Sequence, residues 1–251
     1  AQLFTPRTGQ WYSQKRTLGG GKKAAQGDGF FVADNPPYGV EFTYYLKDSY
    51  KTKEAKRKDA EKNMEKAGTT VGVPAWTVLE EEKKEIAPTV WLFVSDASGK
   101  IVRKVKAKNS KGFNRVAWNL SSESTQTVSA KNVKRDASGH QVSPGSYSAQ
   151  LFKQLNGKYT AVGNKVNVEV KPMVKGALKG STPEQVVAFW EKVTALRNST
   201  RDMSGELNDT KDEINVMLKA YDRSSSTDDA LHNELLLLRD EILALEQKLG
   251  G

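Results

Sequence analysis

Thr89-Val90-Trp91-Leu92-Phe93-Val94, the turn Asp96-Ala97-Ser98-Gly99, and then Ile101-Val102-Arg103-Lys104-Val105 decide the fold of this chain. Two β-branched and aromatic runs around an Asp/Ser/Gly turn are the sequence form of an antiparallel strand pair. The same pattern continues in Gly112-Phe113-Asn114-Arg115-Val116-Ala117-Trp118-Asn119-Leu120. A second turn, Asp136-Ala137-Ser138-Gly139, leads to Pro144-Gly145-Ser146-Tyr147-Ser148-Ala149-Gln150-Leu151. Val166, Val168 and Val170 then alternate with Asn167 and Glu169, the period-2 signature of a half-buried strand. Pro88–Pro172 therefore predicts a compact antiparallel β-sandwich.

Upstream, Pro36-Pro37-Tyr38-Gly39 after Asn35 reads as a rigid turn, because each proline fixes φ. It launches Val40–Lys47, in which Val40, Phe42, Tyr44 and Leu46 share a face and form a first strand of the sandwich. Residues 48–87 interrupt the sheet. Thr52–Ala67 reads as a charged surface helix, with Lys51, Lys53, Lys56, Arg57 and Lys58 interleaved with Glu54, Asp59, Glu61 and Glu65. A second short helix starts at Pro74-Ala75-Trp76 and runs through Leu79 to Ile86. Within the sandwich, Trp118 alternates with Val116 and Leu120 and is assigned to the core. Trp91 and Phe93 oppose Val90, Leu92 and Val94, so that strand is apolar on both sides. Core packing is expected for both tryptophans, with the inserted or the C-terminal helices covering the second face. Residues 121–143 form a polar connection with an edge strand expected at Thr127–Ala130 and a basic patch of Lys131, Lys134 and Arg135.

Beyond Pro172 a linker passes Gly176 and Gly180, and Thr182-Pro183 marks a helix start. The period then changes. Phe189, Val193, Leu196, Thr200, Met203, Leu207, Thr210, Ile214, Met217 and Tyr221 follow at steps of four and three. After Asp222-Arg223-Ser224-Ser225-Ser226 the spacing resumes with Leu231, Leu235, Leu238, Ile242, Leu245 and Leu249. A sustained 3.5-residue repeat is a coiled-coil seam, and the short polar link predicts an antiparallel helical hairpin. Pro183–Tyr221 spans ~58 Å as helix and Asp228–Leu249 ~33 Å. The first turns of the longer helix are thus left without a helical neighbour. Phe189, Trp190, Val193 and Leu196 become the candidate partner-binding residues, for the sandwich or for another chain.

The 251 residues are 27% charged and 37% hydrophobic, with no apolar run long enough to span a membrane. The start, Ala1-Gln2-Leu3-Phe4-Thr5-Pro6-Arg7, carries no basic-then-apolar leader, so any signal peptide is expected to be removed or to lie upstream. The absence of cysteine excludes disulfides, thiolate metal sites and a cysteine nucleophile. Residues 1–180 carry 31 Lys/Arg against 16 Asp/Glu, and residues 181–251 carry 8 against 14, net charges of +15 and −6. Two different physical objects meet near Gly180. Residues 1–34 show little regular pattern, and Gly19-Gly20-Gly21-Lys22-Lys23 reads as a mobile loop. It lacks the Gly-x4-Gly-Lys-Ser/Thr spacing of a phosphate loop. Only His140 and His232 are present, in different modules, and no Gly-x-Ser-x-Gly occurs. No catalytic constellation, metal set or cofactor motif emerges.

Asn35-Pro36-Pro37-Tyr38-Gly39-Val40-Glu41-Phe42-Thr43-Tyr44-Tyr45-Leu46 resembles the segment that follows the β-propeller in bacterial exported sortilin-type, BNR-repeat proteins, which are glycosyl-hydrolase-like. Pro88 through Arg103, Gly112–Leu120 and Pro144-Gly145-Ser146-Tyr147 are similar to that family too. Their order also resembles the Ig-like module of flagellar hook-capping proteins. The resemblance covers roughly residues 30–250 and leaves out the propeller, so no family catalytic residue maps onto this chain. It implies an accessory region of an exported protein, in the periplasm, at the outer membrane or secreted from a Gram-negative bacterium.

The expected fold is thus α+β: an irregular segment over 1–34, then an Ig/FN3-like antiparallel sandwich over 35–175 with its helical insertion at 48–87. A coiled-coil hairpin follows over 181–251. The expected function is non-catalytic protein–protein packing, against a partner or an adjacent propeller. Two further readings stand beside it. One is carbohydrate binding through stacking on Trp11, Tyr12, Tyr45, Trp76 and Tyr159, which requires those rings to form an exposed row. The other is electrostatic binding of lipopolysaccharide, nucleic acid or anionic polysaccharide by the basic portion.

Overall fold

The computed structural model describes residues 1–13, 33, 36–128, 137–174, 180–225, 227 and 229–250. The Gly19–Lys23 run, Asn35, Ser129 and Ala130 of the expected edge strand, and Gly176 lie outside them. So do Lys131, Lys134 and Arg135, Asp136, Ser226 and Asp228, and the side chain of Leu249. The chain is α+β, with antiparallel sheets and four helices among the described residues. It divides into two compact units: residues 1–123 with 138–184, and residues 124–137 with 185–251.

The first unit contains β1 (Gln2–Leu3), β2 (Gly9–Trp11), β3 (Val40–Leu46), α1 (Lys53–Lys66), α2 (Trp76–Lys84), β4 (Thr89–Ser95) and β5 (Ile101–Ala107). It continues through β6 (Gly112–Trp118), β7 (Ser121–Glu123), β8 (Ser138–Gln141), β9 (Gly145–Leu155) and β10 (Lys158–Pro172). One sheet has the order β1-β3-β6, a second β2-β10-β9-β4-β5, and β7 pairs with β8. All pairings are antiparallel except β2 with β10, which is parallel. The five-stranded sheet is curled into a half-barrel. Alternation decides what each strand buries: Val40, Phe42, Tyr44 and Leu46 all point inward at 2% exposure or less. They meet Val90, Leu92, Val94, Leu151, Val166 and Val168 in one continuous core. Trp118 lies at its centre, fully buried, with Nε1 donating to the Ser121 carbonyl at 2.9 Å and the Tyr147 ring 5.1 Å away. The Tyr44 hydroxyl donates to the Lys108 carbonyl at 2.6 Å, and burial pushes its pKa up to about 12.

Gly39 closes the proline turn at φ +107°, and a Cβ there would sit 2.0 Å from the Trp118 carbonyl oxygen. Only glycine allows the chain to enter β3 so close to β6.

Several expectations are corrected. The N-terminal segment is not irregular throughout: β1 pairs with β3, β2 pairs with β10, and Leu3 is 1% exposed. Asn164 holds β1 from the other side, its side chain accepting from the Leu3 amide and donating to the Leu3 carbonyl. A run as short as two residues carries no readable period, so only its partners reveal it as a strand. Of the short strand expected at Thr127–Ala130, only Thr127 and Val128 are described, and they are not in a strand; β7 and β8 form a pair on either side of that connection. Trp91 is only half-buried, and no helix is needed to close Phe93. That ring is 8% exposed because Phe152 and Tyr159 lie against it and Lys104 reaches over it.

In the insertion, Thr52 caps α1 by accepting from the Ala55 amide, and neither α1 nor α2 buries a residue. Arg57 joins the two helices through a bidentate pair with Glu82 (2.7 and 2.8 Å), and Lys53 pairs with Glu81 at 2.7 Å. Charge, not a core, connects them.

The second unit is built on α3 (Pro183–Arg223) and α4 (Asp229–Gly250). No helix among the described residues is long and apolar enough to cross a membrane.

Candidate functional site

Proline at the first turn opens α3, which runs for 41 residues through the weak helix formers Asn198-Ser199-Thr200 and Gly205, whereas α4 has 22. Their contacts run in opposite chain directions. The Tyr221 and His232 rings lie 5.1 Å apart, and Lys211 pairs with Glu246 at 2.9 Å. Leu245 and Lys248 line a groove with Ser199, Met203, Glu206 and Leu207. Leu245 and Lys248 of α4 therefore face the Ser199–Leu207 stretch of α3. Segment 124–128 touches α3 just there: Asn198 donates to the Thr125 carbonyl at 2.9 Å, and Thr127 bonds Asp202.

The heptad pattern predicts a seam buried between the helices. Among its described side chains only Ile214, Leu235 and Ile242 are buried; Met203, Met217, Leu231, Leu238 and Leu245 are exposed. The candidate partner-binding residues lie on the N-terminal turns of α3. Phe189 is 60% exposed, Trp190 43% and Leu196 70%, and Val193 is half-buried. The Phe189 and Trp190 rings meet edge to face at 6.1 Å.

The five candidate stacking residues do not form a row. Trp11 is half-buried against the core, with Nε1 donating to the Val142 carbonyl at 2.7 Å. Tyr12 packs edge-on to Tyr38 at 5.0 Å. Tyr45 lies on the outer face of the three-stranded sheet beside Phe113. Trp76 opens α2, 71% exposed, in a groove with Arg57 and Leu79. Tyr159 belongs to the outer face of the five-stranded sheet. Trp11 and Tyr12 are chain neighbours; the others stand on separate elements.

What the sequence reading missed surrounds Tyr159. In register, Trp91 faces Lys106 on β5 and Phe152 on β9, and Phe93 faces Lys104 and Gln150. Tyr159 lies across from Gln154. The Phe93 and Phe152 rings stack at 4.3 Å, and Tyr159 leans on Phe93 at 5.2 Å. Lys104 Nζ lies 5.1 Å from the Phe93 ring and 5.3 Å from that of Tyr159, a shared cation–π contact. Trp91 Nε1 donates to Thr89 Oγ1 at 2.8 Å and to Gln154 Oε1 at 3.0 Å. The available signal was the doubly apolar β4 together with the alternating lysines of β5.

Among the described residues no cluster of three or more His, Asp or Glu is placed to hold a metal ion. Ser122 Oγ stands 3.4 Å from His140 Nδ1, a long contact at the edge pair β7–β8. Comparison with protein-family models, with curated proteins and with solved structures finds no match in any of the three.

Proposed function

We propose that this chain is a non-catalytic interaction module. In this reading an Ig/FN3-like sandwich carries a helical arm, an antiparallel coiled-coil hairpin whose apolar stripe packs against another protein. One observation carries it: the N-terminal turns of α3 expose Phe189, Trp190 and Leu196. Contiguous exposed apolar surface of this kind marks association sites in soluble proteins. The resemblance of roughly residues 30–250 to exported propeller proteins directs the search for the partner to the cell envelope, with an adjacent propeller as first candidate.

The test is site-specific photo-crosslinking in the source cells, with the reactive group at position 196 and, as control, at the exposed Lys62 of α1. A discrete adduct from 196 alone supports the reading. Equal labelling from both positions, or none, would overturn it. Turnover of a glycan by the purified chain above contaminant level would overturn the non-catalytic part.

A further inference from the structure

We propose that the outer face of the five-stranded sheet binds an acidic polysaccharide, with Trp91, Phe152 and Tyr159 as its apolar floor and Lys104 and Lys106 as its anion partners. Register alone assembles this surface. β5 contributes the two lysines, β4 Trp91 and Phe93, β9 Gln150, Phe152 and Gln154, and β10 Tyr159. Strands lie about 4.8 Å apart, so these side chains form a continuous band across four strands.

Three features select the occupant. The first is charge: among the described residues neither Lys104 nor Lys106 has a carboxylate partner, and the cross-strand positions around them hold no Asp or Glu. Lys104 is held over two rings without being neutralised, a cation placed for an incoming anion. The second is shape. Phe93 and Phe152 stack on each other at 4.3 Å, which closes the slot that an unstacked nucleobase would enter. What remains is a shallow apolar floor, suited to the C–H face of a pyranose ring. The third is hydrogen bonding. Trp91 Nε1 and Thr89 Oγ1 both donate to the Gln154 carbonyl oxygen, which leaves its amide NH2 as a donor for sugar hydroxyls or carboxylates. Apolar floor, fixed amide and unpaired lysines together describe a sugar chain that carries carboxylates.

Affinity electrophoresis and titration calorimetry of the full chain with polygalacturonate test this, with dextran and poly-dT as comparison ligands. Polygalacturonate is expected to bind, and dextran to bind far more weakly. The double substitution Lys104→Gln with Lys106→Gln should weaken binding and lower the log–log salt slope by about 2. Tyr159→Ala should cost about fivefold at an unchanged slope, since ring contact is not screened. Lys62→Gln with Lys66→Gln on α1 removes the same charge away from the sheet and should change little. Circular dichroism of each variant confirms folding, and Tyr159 and both lysines are exposed enough to be replaced without touching the core. Three results overturn the proposal: no binding of polygalacturonate at low salt, an equal loss in the α1 control, or poly-dT binding as tightly and with the same sensitivity.

Discussion

The sheet unit and the helical unit bury their apolar side chains to very different degrees. Phe42, Tyr44, Val90, Leu92, Trp118 and Leu151 are wholly inaccessible, whereas the two long helices bury Ile214, Leu235 and Ile242. A strand pair shares its inner face with a whole facing sheet, so each inward residue gains neighbours from several chain segments. A helix beside one other helix covers only one flank. On α3 several polar groups turn back on their own helix instead: Thr200, Ser204, Asn208 and Thr210 each donate to the carbonyl four residues earlier. The sheet unit is held by its core; the helical unit by its backbone ladder and a thin seam.

Four measurements break or sharpen this contrast. Trp118→Ala should have the largest effect, about 3–5 kcal/mol, from lost burial plus the cavity left behind. Urea unfolding followed by near-UV and 222 nm circular dichroism should show the loss in the sheet transition only. A helical transition that moves with it would mean that the two units unfold together, and the contrast would fail.

High pH comes next. The folded pKa of Tyr44 lies above that of the unfolded chain, near 10. Its contribution is therefore complete below pH ~10 and lost as pH rises through about 12, on the order of 3 kcal/mol in total. Tyr44→Phe should flatten that part of the stability profile, at the cost of about 1 kcal/mol at neutral pH for the lost bond to Lys108. An unchanged alkaline slope in the variant would assign the effect to other groups.

Leu235→Ala should cost about 2 kcal/mol, at the low end for a buried leucine because the seam is thin. The loss should be confined to the 222 nm transition; a loss of 4 kcal/mol would show a far better packed helical unit than the contrast allows.

The α1–α2 pair should respond most weakly. Hydrogen bonding to Lys53 and Arg57 holds the carboxyls of Glu81 and Glu82 below their usual range. Their contribution is present at neutral pH and is lost as pH falls below the ordinary carboxylate range. Hydrogen exchange should then show α1 and α2 separating while the sheet amides stay protected. Synchronous loss of both would mean that the insertion shares the sheet's core.

The periodic parts of this protein were legible in its residues. Alternation in Val40–Leu46, Thr89–Val94 and Val166–Val170, the charged helix after Thr52, and the start of α3 at Pro183 all follow from spacings within a few residues. Trp118, flanked by Val116 and Leu120, was placed in the core by the same local rule. The change from period 2 to period 3.5 marked two kinds of structure.

What the tertiary structure alone decided depends on residues far apart in the chain. Gln2–Leu3 is a strand only because Tyr44 and Tyr45 lie beside it and because Asn164, 161 positions away from Leu3, binds its backbone. The platform of Trp91, Lys104, Phe152 and Tyr159 needs the register of four strands. A slip of one residue in any pairing would turn its side chains to the opposite face. Which residues of the α3 stripe are covered was likewise decided by its pairing with α4. Short-range periodicity reveals which face a residue takes; only the packing of distant segments determines what that face meets.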